Sequence, residues 1–385
     1  MAASSSKVDV VPASATAIVR VSPSEINPFA YDATQHSGCC QLLKMLIIGL
    51  LLFPLRFVVF LIFFVLLWLV AAIGTFTCCS HSDVAPHPVR RPITRCLMSC
   101  CSRMILWALG YWWISVKGAY DPTAPVIVSN HVSFVDPFYF AWTMLPMAVA
   151  KAEAFKAPFL GTIARAQQTI PVSRGSAANR HAVAEEIARR TRWGVDQAAG
   201  TIAQYGRWPP LLVFPEATCT NTRSVIEFKY GAFAPLMPVQ PVALDFRQAH
   251  LDVSWVGRCS VPLTIIRMMC QVYNHLEVTY LPVYAPCSST EDAPSFCGRV
   301  QRAIASQLNV PVTTHTFLDS LPKRPAAAAA HTAPDVVPPP LSVVPAPAEV
   351  VSPTSALPDA AAAPPQGEEE EEDVTTLVRS CSLVP

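Results

Sequence analysis

Apolar positions are distributed very unevenly along the chain. Residues 1–40 are polar and contain Ser and Pro, a composition that predicts a disordered lead-in. From Met45 to Phe76 the sequence is almost unbroken Leu, Ile, Val, Phe and Trp, with Arg56 as its one charge, two residues after Pro54. The uncharged portion, Phe57–Phe76, would rise about 30 Å as a helix, the thickness of the hydrocarbon core of a bilayer. It starts too late, runs too long and lacks the small-residue exit of a signal peptide. Residues 41–80 therefore read as a membrane anchor. Two topologies satisfy it, a single transmembrane span or a re-entrant hairpin broken at Pro54. Arg90, Arg91, Arg95 and Arg103 follow the anchor, whereas only Lys44 and Arg56 lie close on the other side, which places the C-terminal portion in the cytosol. Residues 81–117 read as a basic juxtamembrane segment ending in a second apolar piece, Met104–Val116. With Trp107, Tyr111, Trp112 and Trp113 that piece suits an interfacial helix at the headgroup zone. A helix packed into the core has the same pattern.

Between 118 and 321 the pattern becomes that of a globular domain. Val126–Ser129, Leu211–Phe214, Val239–Leu244 and Glu277–Tyr284 are short apolar, β-branched runs with strand character. Arg180–Arg190, with Ala182, Val183, Ile187 and Ala188 on one face, reads as a helix, as do Val195–Tyr205 and Phe296–Leu308. Strands alternating with helices predict an α/β domain with a mainly parallel sheet flanked by helices. After Pro322 the composition shifts to Pro, Ala, Val and Ser, with an acidic run at Glu368–Asp373. Such a segment, 322–385, buries too little apolar area to offset its ordering entropy and reads as a disordered tail.

Composition narrows the function. Charged residues make up 14% of the 385, against roughly 25% in average soluble proteins, as a membrane-bound chain requires. The net charge is +1, so no basic field argues for nucleic acid. Gly is scarce at 14 residues, which disfavours a Gly-rich phosphate loop, and no G-x-S-x-G elbow is present. The 13 cysteines are odd in number, and a chain this long needs no disulfide staples. Several lie in pairs beside apolar stretches (Cys39–Cys40, Cys78–Cys79, Cys100–Cys101), where palmitoylation and plain reduced thiols both fit. No cysteine spacing has the rhythm of a zinc site, and no metal is expected.

The chemistry concentrates in Ser129-Asn130-His131-Val132-Ser133-Phe134-Val135-Asp136-Pro137. Five positions on a regular helix set His131 and Asp136 about 140° apart. They meet only if His131 lies in the turn before a helix that starts at Asp136, and Asp-Pro is a good helix start. A carboxylate that orients an imidazole makes a general base; a loop histidine beside a helix cap is the plainer reading of the same spacing. Downstream, Phe214-Pro215-Glu216-Ala217-Thr218-Cys219-Thr220-Asn221 follows a buried-looking strand, where a carboxylate without purpose is costly. Gly161 through Ile170-Pro171-Val172-Ser173-Arg174, and Val239-Gln240-Pro241-Val242, complete the set.

These blocks resemble, in order and spacing, the four motifs of the glycerolipid acyltransferase (PlsC-like, 1-acylglycerol-3-phosphate acyltransferase) family. They cover about 120 residues, from His131 to Val242. Thr218-Cys219-Thr220-Asn221, with Asn27-Pro28-Phe29 ahead of the anchor, is similar to the lysophospholipid acyltransferase branch, of the lysophosphatidylcholine and lysophosphatidylethanolamine type. The resemblance implies that His131 deprotonates the free hydroxyl of a lysophospholipid, which attacks the thioester of an acyl-CoA directly, with Asp136 supporting His131. It implies that Arg174 binds the acceptor phosphate, that Glu216 and Thr218 hold the acceptor, that Asn130 supports the turn, that Lys151 lies near the headgroup, and that Pro241 shapes the donor side. Acyl-CoA enters as a co-substrate, with no other cofactor, and the endoplasmic reticulum is the expected membrane. Cys219 is expected inside the acceptor motif rather than beside a base. Two features depart from the family pattern. Ala217 stands where the third motif usually has Gly, and a positive φ there would strain it by about 1 kcal/mol or more. No EF-hand loop follows the domain, so calcium control through one is not expected. Acylation of lysophosphatidic acid and a catalytically weak lipid-binding scaffold are the competing functions.

Overall fold

The computed structural model describes residues 26–32, 38–77, 90–173, 177–196, 208–247, 250–257, 259–287 and 290–321. The strands are β1 (Ser115–Lys117), β2 (Val126–Ser129), β3 (Met147–Lys151), β4 (Ile170–Val172), β5 (Leu211–Val213), β6 (Val239–Asp245) and β7 (Glu277–Tyr280). They form a seven-stranded sheet in the order β1-β7-β6-β2-β5-β3-β4. The five strands from β6 to β4 run parallel, β7 is antiparallel to β6, and β1 is parallel to β7. The helices are α1 (Cys39–Thr77), α2 (Arg90–Ala108), α3 (Asp136–Thr143), α4 (Pro158–Ala166), α5 (Ala177–Asp196), α6 (Val261–Met269) and α7 (Ala293–Leu308).

Both faces of the sheet are covered, which is why its strands read as continuous apolar runs rather than alternating ones. Along β2, Ile127 joins the layer containing α1, α2, α3 and α6, while Val126 and Val128 join the layer of α5 and α7. The mainly parallel sheet with flanking helices follows the expectation. The remaining differences have local causes. Glu277–Tyr284 stops pairing at Tyr280 and returns only as a bridge from Tyr284 to Val239. β1, β3 and β4, of three to five residues, are too short to carry a period. Most of Val195–Tyr205, residues 78–89 and the tail 322–385 lie outside the described residues.

Met104–Val116 does not form one helix. α2 ends at Ala108, and the chain turns through Gly110 at φ +90° into β1. A Cβ on Gly110 would also meet the Asn274 side-chain nitrogen at 2.8 Å. Ile105, Leu106, Leu109 and Tyr111 enter the core, whereas Trp113 is 84% exposed.

α1 settles the anchor's shape. Its 39 residues continue through Pro54 without a break, so the hairpin topology does not form. The helix is about 58 Å long, and it is long and apolar enough to cross a membrane. One side packs on the domain: Leu67 and Ala71 are buried, and Phe64 and Trp68 contact the ring of Phe159 on α4 at 6.2 and 5.5 Å. The other side presents Leu46, Leu50, Leu51, Ile62 and Ile73, with Leu50 79% exposed. A bare apolar face of that length calls for lipid rather than water, and the protein is membrane-associated.

The charge in the middle of α1 is an attachment point. Arg56 is 1% exposed. Its guanidinium donates to the carbonyls of Met269 (2.8 Å), Gln271 and Val272 (2.8 Å), just where α6 ends and its last carbonyls lack helical partners. The same group lies 5.0 Å from the ring of Trp112. Replacing it by Met keeps the volume but leaves three buried carbonyls without their donors. Arg56→Met should lower stability by about 3 kcal/mol, read as a drop in thermal midpoint in detergent; an unchanged midpoint would show that the carbonyls find other donors.

Candidate active site

Adjacent parallel strands β2, β5 and β6 bring their carboxyl ends together, the edge where open α/β sheets place their ligands. Asn130 leaves β2 and locks it to β6: its side-chain amide donates to the carbonyl of Leu244 (2.9 Å) and accepts the Leu244 amide (2.8 Å). The next residue, His131, therefore starts from a fixed point.

Asp136 then organises the turn. One carboxylate oxygen accepts from the amides of Val132 (2.7 Å) and Ser133 (3.1 Å) and lies 2.8 Å from Nδ1 of His131. Asp136 is the first residue of α3 with Pro137 behind it, yet its side chain does not cap that helix; it turns back on the preceding loop. This is how a five-residue separation brings imidazole and carboxylate together. Nδ1 is held by Asp136, which leaves Nε2 as the ring nitrogen available to take a proton.

The loop after β5 grips the same histidine from the other side. The ring of Phe214 stacks on the imidazole at 4.2 Å and 18°. The Glu216 carboxylate accepts the His131 amide at 2.8 Å, and the Thr220 amide donates to the His131 carbonyl at 2.8 Å. The thiol of Cys219 also lies against the imidazole, which corrects the expectation that this cysteine stands away from a base. His131 keeps 20% of its side chain exposed while Asp136 is fully buried.

Electrostatics follow from this packing. Burial opposes charge on His131, but the neighbouring Cys219 thiol and the hydrogen bond to Asp136 outweigh it and hold the imidazole well above its ordinary pKa. Burial pushes Glu216 up to about 7, despite the His131 amide that favours its carboxylate. Glu216 has no exposure, so its side chain reaches His131 and not the solvent edge.

Two residues of this loop adopt left-handed backbone. Ala217, in the position where glycine was expected, has φ +57°, and Thr222 has φ +60°. Between them Asn221 fastens a distant part of the chain. Its amide donates to the carbonyl of Pro28, and its side chain donates to those of Asn27 and Ala30, all at 2.9 Å. Phe29 meets His315 edge-on at 6.2 Å. Residues 26–32 of the lead-in are thus docked on the site loop rather than disordered.

The other expected residues divide. Thr218 sits half-buried at the rim, 3.5 Å from the Ser320 hydroxyl. Pro241 is buried in β6 opposite Val128, three residues inward from Leu244. Lys151 is exposed at the carboxyl end of β3, paired in register with Val172 of β4. Arg174 lies outside the described residues. Gly161 of the second block has a steric reason: a Cβ there would come within 2.3 Å of the Phe155 carbonyl oxygen. Phe214, Cys219 and Asn221 were visible as motif letters, but nothing in the sequence shows a ring stacked on His131 or a side chain reaching back to Pro28. A cavity of about 210 Å³ opens beside Val132 at the carboxyl edge. A larger one of about 430 Å³, between Arg95, Tyr139, Pro209 and Tyr280, lies at the opposite strand ends, away from His131.

A helix-flanked, mainly parallel sheet with a histidine–aspartate pair after its central strand is a domain equipped for general-base chemistry, and comparison gives its class. Residues 116–245 match the family model described as Acyltransferase, and the chain belongs to that family through this domain. It is 34% identical over 304 residues to "Lysophospholipid acyltransferase LPEAT2" of Arabidopsis thaliana, covering 77% of this chain and 53% of that protein. It is 33% identical over 302 residues to "Lysophosphatidylcholine acyltransferase 2" of Mus musculus, covering 76% and 52%. The chain thus spans about half the length of the curated relatives it matches. Among solved structures, the 1-acyl-sn-glycerophosphate (LPA) acyltransferase PlsC from Thermotoga maritima aligns at a TM-score of 0.42 with 15% identity, over 66% of this chain and 96% of that one.

Ala217 offers a direct test of the loop. Glycine would relieve about 1–2 kcal/mol of left-handed strain and return about 0.5–1 kcal/mol as unfolded-chain entropy. Ala217→Gly should therefore raise the thermal midpoint by about 1–2 °C with equal or higher activity; a sharp loss of activity would show a loop adapted to alanine.

Proposed function

We propose that this protein is a membrane-bound O-acyltransferase that moves a fatty acyl group from acyl-CoA to the free hydroxyl of a lysophospholipid of the phosphatidylcholine or phosphatidylethanolamine type. The observation that carries the reading is the 2.8 Å contact between His131 Nδ1 and a fully buried Asp136 at the carboxyl edge of the sheet. Nε2 of His131 takes the hydroxyl proton as the alkoxide oxygen attacks the thioester carbonyl. The tetrahedral intermediate then expels the CoA sulfur, which recovers the proton from the imidazolium. The products are an ester and a free CoA thiol, and no acyl-enzyme is needed. Asp136 fixes the tautomer that leaves Nε2 unprotonated and stabilises the imidazolium as it forms.

Other side chains divide the labour. Asn130 and Phe214 hold the imidazole in place, and Glu216 positions it through its backbone amide instead of touching the acceptor. Thr218 borders the acceptor, Arg174 takes its phosphate through guanidinium geometry, Lys151 lies on the headgroup side, and Pro241 stiffens the donor side. α1 keeps the domain on the bilayer, so an apolar acceptor arrives laterally while the polar CoA stays in water. The basic residues after α1 favour the cytosolic face for the domain, and the endoplasmic reticulum is the membrane proposed for it.

Membranes carrying the chain, supplied with labelled acyl-CoA and lysophospholipid, test this reading. His131→Ala should reduce transfer by about 10²–10⁴-fold while leaving membrane association intact; transfer that survives the change would sink the mechanism. The pH profile gives a second test. The base works only when neutral and its pKa is raised, so kcat/KM should climb with pH along a limb lying above 6.5, the ordinary imidazole value. Asp136→Asn removes the group that favours the imidazolium, so it should move that limb to lower pH as well as slow the reaction. A limb that stays in place would remove Asp136 from the dyad.

A further inference from the structure

The cavity beside Val132 lies at the same sheet edge as His131, and every wall comes from loops that follow β2, β5 and β6. Its charges are not equivalent. Arg247 is committed to the Asp245 carboxylate, at 2.6–3.0 Å, and to the Leu308 carbonyl. Asp252 accepts the amide of Asp32 (2.9 Å) with one oxygen, and the amide and hydroxyl of Ser254 (2.9 and 2.6 Å) with the other. Arg223 has a single contact of 3.1 Å to the Asp32 carboxylate and leaves 54% of its side chain exposed. Asp32 is brought there by the docked segment 26–32, through Asn221 and Asp252. An anchor-side segment thus sets a carboxylate against two residues that line the cavity, Arg223 and Asp252.

We infer that this cavity is the headgroup subsite of the acceptor and that the Arg223–Asp32 pair selects a zwitterionic headgroup. Arg223 adds a second guanidinium to the phosphate that Arg174 takes, and Asp32 takes the ammonium, so the Arg223–Asp32 pair exchanges partners with the ligand's anion and cation. A headgroup that ends in phosphate alone satisfies Arg223 but sets its second charge against Asp32. Headgroup choice then resides in Asp32, outside the four motifs. The inference rests on the acyl-transfer reading above and adds the residues that choose its acceptor.

The test is competition between lysophosphatidylcholine and lysophosphatidic acid for one labelled acyl-CoA, in membranes carrying the full chain. Asp32→Asn should shift the product ratio about two- to fivefold toward the phosphate-only acceptor, the scale of one partly exposed charge pair. Asp32→Glu should restore the original preference. Equal losses for both acceptors would reduce Asp32 to a structural contact and overturn the inference. Binding of a fluorescent lysophosphatidylcholine to the purified chain, displaced by either lysolipid, is measured alongside. If the unaltered protein transfers to no acceptor, the acyl-transfer reading falls by itself, and the displacement ratio of Asp32→Asn against the parent still decides the subsite: an unchanged ratio rejects it.

Discussion

A single carboxylate oxygen carries the architecture of the site. Asp136 accepts two loop amides and meets the imidazole with the same oxygen, at the first turn of α3. A fully buried carboxylate is tolerable only when donors surround it, and here the donors are the turn that carries His131. Removing that charge would weaken the turn as well as the dyad, so catalytic geometry and local fold depend on one interaction. The clamp between Asn130 and Leu244 extends this dependence into β6. The grip of the 214–220 loop extends it into β5.

Attachment to the membrane is built in a similar way. α1 is apolar on all sides, so hydrophobicity alone would not orient it against the domain. Arg56 supplies the orientation, because a guanidinium in that setting must find acceptors and the carbonyls at the end of α6 provide them. The face left over is the one that needs lipid. The catalytic edge and the anchor are thus parts of one packed body rather than a domain on a tether.

The coupling between Asn221 and residues 26–32 gives a physical reason for two distant sequence features to occur together. Asn27-Pro28-Phe29 precedes the anchor and Thr218-Cys219-Thr220-Asn221 follows β5. One asparagine joins them with three hydrogen bonds. The loop they share is strained at Ala217 and Thr222, and strained backbone persists only where its surroundings hold it. The docked segment is part of that hold.

Much of this was legible in the chain itself. Buried strands on a doubly covered sheet must be continuous apolar runs, so Val126–Ser129 and Val239–Leu244 showed the sheet directly. Asp-Pro marks a helix start by backbone chemistry alone, which located α3 and, with it, the place where His131 and Asp136 could meet. An unexpected alanine in the third motif announced its strain in advance. Tertiary structure decided the rest. Whether Pro54 breaks α1 depends on the helices packed beside it. Met104–Val116 splits at Gly110 because Asn274 and β7 occupy the space beyond. Glu216 accepts the backbone amide of His131 because β5 lies beside β2. These outcomes rest on contacts between residues far apart in the chain, and no local pattern of polar and apolar residues encodes which neighbour will fill a given space.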